Sequence, residues 1–264
     1  MEIVRDDRPA RYSTAISATS CLLLTGAPRR NSARYDSFVP GWSAFHQVTA
    51  PYSRLEAWGY DRLVGERAVK PLLPPLTASL GATATEASIL DIGCGGGHLL
   101  VSLADSHPGW TLAGIDPNPD QVRRASLRGK RFGDRFSAIQ GSAGELPFPS
   151  SSFDVVLSIA SIKHWPERET GLREAMRVLR PAGQYFVAEV HSAATEADAR
   201  EFLRSLGVPP ILHRPASALF RRFVLGEGWR ADDADKLATS LSLADFEVVS
   251  LASPPLVALT GTNR

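Results

Sequence analysis

The chain has 264 residues, 44% of them hydrophobic and 22% charged, enough apolar material for one sizeable core. Lys and Arg number 29 against 28 Asp and Glu, and the formal charge of +1 offers nothing particular to nucleic acid or to an acidic membrane surface. No apolar run reaches the roughly 18 residues that span a bilayer. The only cysteines, Cys21 and Cys94, have no metal-ligand spacing, which predicts a reducing, cytoplasmic compartment and no disulfide framework.

Residues 1–34 are rich in Arg, Ser, Thr and Ala, with one short apolar patch at 21–24, and read as a poorly ordered extension. The Asp6-Asp7 pair and the shortness of that patch argue against a secretory signal. Residues 35–264 read as one domain. Its first part, 35–80, is apolar and aromatic (Trp42, Phe45, Tyr52, Trp58, Tyr60), with helical patterns that Pro51, Pro71, Pro74 and Pro75 should break. Such a segment serves either as a lid over a neighbouring site or as a peripheral helix packed on the core.

From residue 88 the chain alternates. A buried strand over 89–92 breaks into Gly93-Cys94-Gly95-Gly96-Gly97 and resumes at helical spacing to about 106. Thr111–Asp116 reads as a second strand, and 118–129 as a helix with Pro117 and Pro119 at its start. Phe136–Gln140 and the strongly apolar 153–160 are strands three and four. A helix over 166–179 stops at Arg180-Pro181-Ala182-Gly183, and 184–190 is strand five. This alternation predicts an α/β, doubly wound, mostly parallel sheet covered by helices on both faces. Residues 192–244 interrupt it as a helical insertion, with helices over 195–206, 215–226 and 232–241. Strands over 246–251 and 256–260 complete seven, close enough together to form a hairpin.

The chemistry concentrates around the glycines. Free N–H groups at the start of the following helix point at whatever sits over the turn. A dinucleotide site wants G-x-G-x-x-G, and counting from Gly93 the third glycine is replaced by His98. No Gly-Lys-Ser/Thr follows, which excludes a P-loop. Asp91 stands inside the strand end, where a carboxylate suits a cationic ligand and repels a pyrophosphate. Asp116 ends strand two at the distance where such folds place an acid on a ribose; its alternative role is a helix N-terminal acid. His164, just after strand four, is the candidate general base, or else a structural histidine. Cys94 is either an oxidation-sensitive thiol or a small residue that fits the turn. No three of His98, His107, Glu189, His191 and His213 have a metal-ligand spacing, so no metal is expected.

Asp91 and the glycine turn, Gly114-Ile115-Asp116-Pro117-Asn118, and Gln140-Gly141-Ser142-Ala143-Gly144-Glu145-Leu146-Pro147-Phe148 together resemble the class I S-adenosylmethionine-dependent methyltransferases. The resemblance is to their small-molecule branch, which includes quinone-biosynthesis enzymes, and covers roughly residues 85–191. It implies a Rossmann-like methyltransferase fold whose last strand is antiparallel, S-adenosyl-L-methionine as cofactor and a small-molecule methyl acceptor. It places Asp91, Gly93, Gly95 and Gly97 at the cofactor, Asp116 and Pro117 at its ribose, and Ser142 and Ala143 at its adenine. Ser158, at the end of strand four, would line the methyl-donor side, and Tyr52 would cover the cofactor. The chain departs from the pattern at Ser142, where relatives carry an aspartate for the adenine amino group, and at Gly144, where they carry a glutamate. Ser142 is accordingly either a weaker adenine contact or a turn residue. A cofactor-binding protein without catalysis and an oxidoreductase on a related sheet are the alternative readings.

Overall fold

The computed structural model describes residues 65–80, 85–220, 228–252 and 254–263. The expected extension over 1–34, residues 35–64 of the expected lid with Tyr52, and Arg221 and Arg222 lie outside the described residues; in the insertion sequence these two arginines make a basic cluster with Arg214, which is described.

The described chain begins with α1 (Glu66–Leu80) and then alternates: β1 (Ser88–Ile92), α2 (His98–Ser106), β2 (Thr111–Asp116), α3 (Pro119–Gly129) and β3 (Phe136–Gln140). It continues through β4 (Phe153–Ile159), a short 3-10 turn (Ile162–His164), α4 (Arg168–Val178) and β5 (Leu179–Val190). Three helices follow, α5 (Glu196–Ser205), α6 (His213–Phe220) and α7 (Ala231–Ser240), before β6 (Glu247–Ala252) and β7 (Pro255–Thr262). The sheet has seven strands in the order β3-β2-β1-β4-β5-β7-β6. β7 runs antiparallel to both its neighbours, and the other pairings are parallel. The chain order reverses between β1 and β4, which opens a crevice at the carboxyl ends of those strands.

Period-two alternation splits the buried side chains between the two faces. Ile89, Val155, Leu157 and Phe186 pack with Leu72 and Leu76 of α1 and Leu100 and Leu103 of α2. Leu90, Ile92, Val156, Tyr185 and Val187 pack with Leu172 and Ala175 of α4 and Ala234 and Ala238 of α7. Each fully buried Leu, Ile or Val contributes about 1.5–3 kcal/mol relative to leaving it in water.

Two expectations change. Pro71, Pro74 and Pro75 do not break the first helix; α1 runs through all three. Val69, Leu72, Leu76 and Leu80 form one buried stripe, and that burial outweighs the hydrogen bonds the prolines forgo. The described part of the 35–80 segment is thus a helix packed on the core. The second change concerns 180–183, which interrupt a longer strand. Phe153 pairs with Leu179 and Val155 with Gln184, so the intervening residues bulge out of the ladder, with Ala182 at φ 61.

Candidate cofactor site

Asp91 and Asp116 end on neighbouring strands, and the glycine turn passes beside both. Gly93, Gly95 and Gly97 take φ values of 80, 52 and 77, the left-handed region that side chains avoid. At two of them space also demands glycine. A Cβ on Gly93 would overlap Ser161 Oγ, and one on Gly97 would lie 2.8 Å from Ala125 Cβ of α3. The turn is held to β2 by the N–H groups of Gly93 and Cys94, which donate to Ile115 C=O at 2.7 and 3.1 Å. From α3, the Arg128 guanidinium donates to Gly96 C=O.

Asp116 completes the turn. Its Oδ2 accepts Gly95 N–H at 2.9 Å and its Oδ1 accepts Asn118 N–H at 2.9 Å. Each oxygen keeps a lone pair for a ligand hydroxyl. Burial raises its pKa, opposed by those two N–H bonds and by the charge of nearby His164. The helix-cap role considered for Asp116 falls to Asn118, whose side chain accepts from Asp120 and Gln121 N–H.

Asp91 is 3% exposed, and nothing among the described residues hydrogen-bonds to its carboxylate. Its pKa is pushed up to about 7, by burial first and by Asp116 second. An unpartnered carboxylate beside a second carboxylate is costly unless a cation comes to it. Both acids sit at the crevice, so the residues fit a ligand with positive charge and a diol. They do not fit a pyrophosphate.

The remaining candidates fall into place around this centre. Pro117 is exposed beside Asp116, and its C=O accepts Gln140 Nε2–H at 3.2 Å. Ser142 Oγ accepts Gly144 N–H at 3.3 Å, the turn role, while its own hydroxyl proton stays available. Ala143 is buried beside it. Ser158 departs from expectation: it is fully buried and its Oγ has no partner among the described residues, so it lies beneath the crevice rather than lining it. Period-two parity accounts for this, because Ser158 shares the face of Val156 that α4 covers. Ser161, which the sequence reading missed, reaches the glycine turn instead.

His164 ends the turn after β4, close enough to Asp116 for its charge to be felt there. The other histidines divide differently. His107 stacks on Trp110 at 3.7 Å and its Nδ1 contacts Leu103 C=O at 3.1 Å. Buried His213 contacts Val208 C=O through Nε2 at 2.7 Å. Both are structural. His98 lies against Gly65, which brings the start of α1 to the glycine turn. Cys94 fills the space over Gly114, where a Cβ would come within 2.6 Å of its Sγ. Burial and the neighbouring Asp91 and Asp116 push its thiol pKa up, so it is a packing residue and not a reactive thiolate. Among the described residues no group of three His, Cys, Asp or Glu could hold a metal ion.

Residues 90–187 match a family described as a methyltransferase domain. The chain is 30% identical over 191 residues to the O-methyltransferase resE of Aspergillus sclerotiorum, covering 68% of this chain and 69% of that one. It is 35% identical to the 27-O-demethylrifamycin SV methyltransferase of Amycolatopsis mediterranei, across 57% of this chain and 56% of the relative. It is 37% identical to the ubiquinone/menaquinone biosynthesis C-methyltransferase of Hahella chejuensis, across 39% of this chain and 43% of the relative. The match thus spans about half the length of the last two. In fold, the chain superposes on an S-adenosylmethionine-dependent methyltransferase structure from Methanococcus maripaludis with a TM-score of 0.64, at 17% identity, covering 81% of this chain and 94% of that one. The sheet order, the paired acids at the glycine turn and these similarities agree: the chain belongs to the class I S-adenosylmethionine-dependent methyltransferases.

Proposed function

We propose that this chain transfers the methyl group of S-adenosyl-L-methionine to a small organic acceptor, at an oxygen or an activated carbon. The observation that carries the reading is the pair Asp91 and Asp116. One is a buried acid to which no described residue donates a hydrogen bond, and the other is an acid already oriented by two backbone N–H groups. When bound, S-adenosylmethionine supplies an electrophilic methyl on a sulfonium.

The chain's own residues do the rest. Asp91 answers the positive charge of the cofactor's amino-acid end, and Asp116 accepts from the ribose hydroxyls. Pro117, Ser142 and Ala143 line the adenine side, with the Ser142 hydroxyl as a neutral hydrogen-bonding group. Gly93, Gly95 and Gly97 let the backbone approach. Ser161 stands against the glycine turn from the β4 side. His164, on the same turn, takes the proton that an acceptor hydroxyl or acidic carbon loses as the methyl arrives; an imidazole does this near neutral pH. Relatives named for O-methylation and for C-methylation both fit this division of labour.

The test uses S-adenosylmethionine labelled on its methyl group, with a panel of phenols, hydroxylated polyketides and quinols. Label should pass to at least one organic-extractable product, and His164→Asn should abolish transfer while leaving cofactor affinity unchanged. Cofactor binding without transfer to any member, and equal behaviour of His164→Asn, would contradict the acceptor class and the base.

A further inference from the structure

The turn that carries Ser161 and His164 is held from three sides. Ser161 lies against Gly93, and its Oγ accepts Trp165 Nε1–H at 3.0 Å. Ile162 is fully buried. The third hold comes from β5, through a residue that the chemistry above does not use.

That residue is Glu189, whose side chain is wholly buried. Its Oε1 accepts Val190 N–H at 2.8 Å and lies 3.2 Å from Lys163 Nζ. Its Oε2 accepts the backbone N–H of Lys163 at 3.2 Å. Lys163 is nearly as secluded, with 11% of its side chain exposed. A buried ion pair of this kind is weak support for stability, because apolar residues of the same volume do as well or better. What an apolar side chain cannot do is accept the Lys163 N–H. Within the turn the bonds run from His164 N–H to Ser161 C=O and from Trp165 N–H to Ile162 C=O. Lys163 N–H stands at the open start of the turn, where helical structure leaves donors without partners.

We propose that Glu189 is a positioning residue: it caps the Ile162–His164 turn from β5, and so fixes where Ser161 and His164 stand against the glycine turn and Asp116. Lys163 Nζ, 3.2 Å from Oε1, holds the capping carboxylate in place. The role of the cap in turnover rests on the reading of His164 given above; the cap itself does not.

The experiment compares the full chain with Glu189→Gln and with a double variant, Glu189→Leu plus Lys163→Met. Backbone amide exchange and the Trp165 indole N–H resonance are followed by NMR, with melting temperature and S-adenosylhomocysteine affinity measured on the same samples. Glu189→Gln keeps an oxygen for Lys163 N–H, and exchange at Lys163, His164 and Trp165 should stay within about threefold of the parent. In the double variant, which leaves the Lys163 N–H without this acceptor, exchange at those amides should rise on the order of tenfold and the indole resonance should move. Unchanged exchange and an unmoved indole signal in the double variant would overturn the proposal. Equal loosening in Glu189→Gln would also overturn it, since the charge rather than the cap would then matter. Failure of the parent to bind S-adenosylhomocysteine would count against the cofactor reading alone and leave the exchange result standing.

Discussion

Lowering the pH from 8 to 6 should weaken cofactor binding about tenfold, through Asp91. Its pKa in the ligand-free protein is about 7, set by burial first and Asp116 second. At pH 6 about nine molecules in ten then carry a protonated Asp91, and at pH 8 about one in ten. The ammonium of the ligand's amino-acid end, which S-adenosylhomocysteine keeps, selects the ionised form, so binding at pH 6 must expel a proton. That linkage costs on the order of 1.4 kcal/mol, a factor of about ten in Kd. Stability of the ligand-free protein moves in the opposite sense. The carboxyl has a pKa of 3.8 in the unfolded chain and about 7 in the fold, so the folded state binds more protons between those values. The contribution of this group is therefore fully present below pH 3.8 and is lost as the pH rises through 7. The gap corresponds to about 4 kcal/mol by pH 8. Asp91→Asn should accordingly raise the melting temperature of the ligand-free protein at pH 8 while weakening the cofactor. The assay is calorimetric titration with S-adenosylhomocysteine at pH 6 and 8, in buffers of different ionisation enthalpy, which reads Kd and proton release together. The parent should release close to one proton at pH 6, and Asp91→Asn should bind weakly with little dependence on pH. The same tenfold dependence in Asp91→Asn would refute the reasoning.

Three substitutions and one control test the other contacts. Asp116→Ala removes a charged acceptor from the ribose side and should weaken S-adenosylhomocysteine binding by about 1.5–3 kcal/mol, which calorimetry reads as roughly 10- to 150-fold in Kd. An unchanged Kd would remove the ribose assignment. Gly93→Ala should lower both melting temperature and cofactor affinity, because its methyl would overlap Ser161 Oγ at a φ of 80. Gly144→Ala is the control and should be near neutral, since its Cβ would meet nothing closer than 3.8 Å. Ser142→Asp should tighten the cofactor by about 1 kcal/mol, roughly fivefold, as a charged acceptor replaces a neutral one. Weaker binding in that variant would show that Ser142 serves the turn alone.

The parallel core was legible because its strands are short apolar runs between helical patterns, and period alone separates the two. The positions of Asp91, Asp116 and the glycines, at two strand ends and in the turn between strand and helix, were legible because they follow from the strand–turn–helix pattern. What escaped depends on contacts between distant residues. The path of α1 through Pro71, Pro74 and Pro75 follows from burial of Leu72, Leu76 and Leu80, which local propensity does not express. The bulge at 180–183 is a matter of register with Phe153 and Val155. Ser158 was misassigned because β4 is apolar on both faces, so the sequence carries no parity signal to show that this serine points under the helices. Ser161 meets Gly93 across the crevice, a pairing no spacing encodes. Glu189 did carry a signal: a lone acid in an otherwise apolar strand end is buried with a partner, and Lys163 is that partner.

The most direct test of the account is calorimetric titration of the purified protein with S-adenosylmethionine and, separately, with S-adenosylhomocysteine. The paired acids and the glycine turn predict one site with micromolar affinity, lost or strongly weakened in Asp116→Ala. A folded protein that takes up neither compound would contradict the central claim, and Asp91 and Asp116 would then have to answer to some other cation.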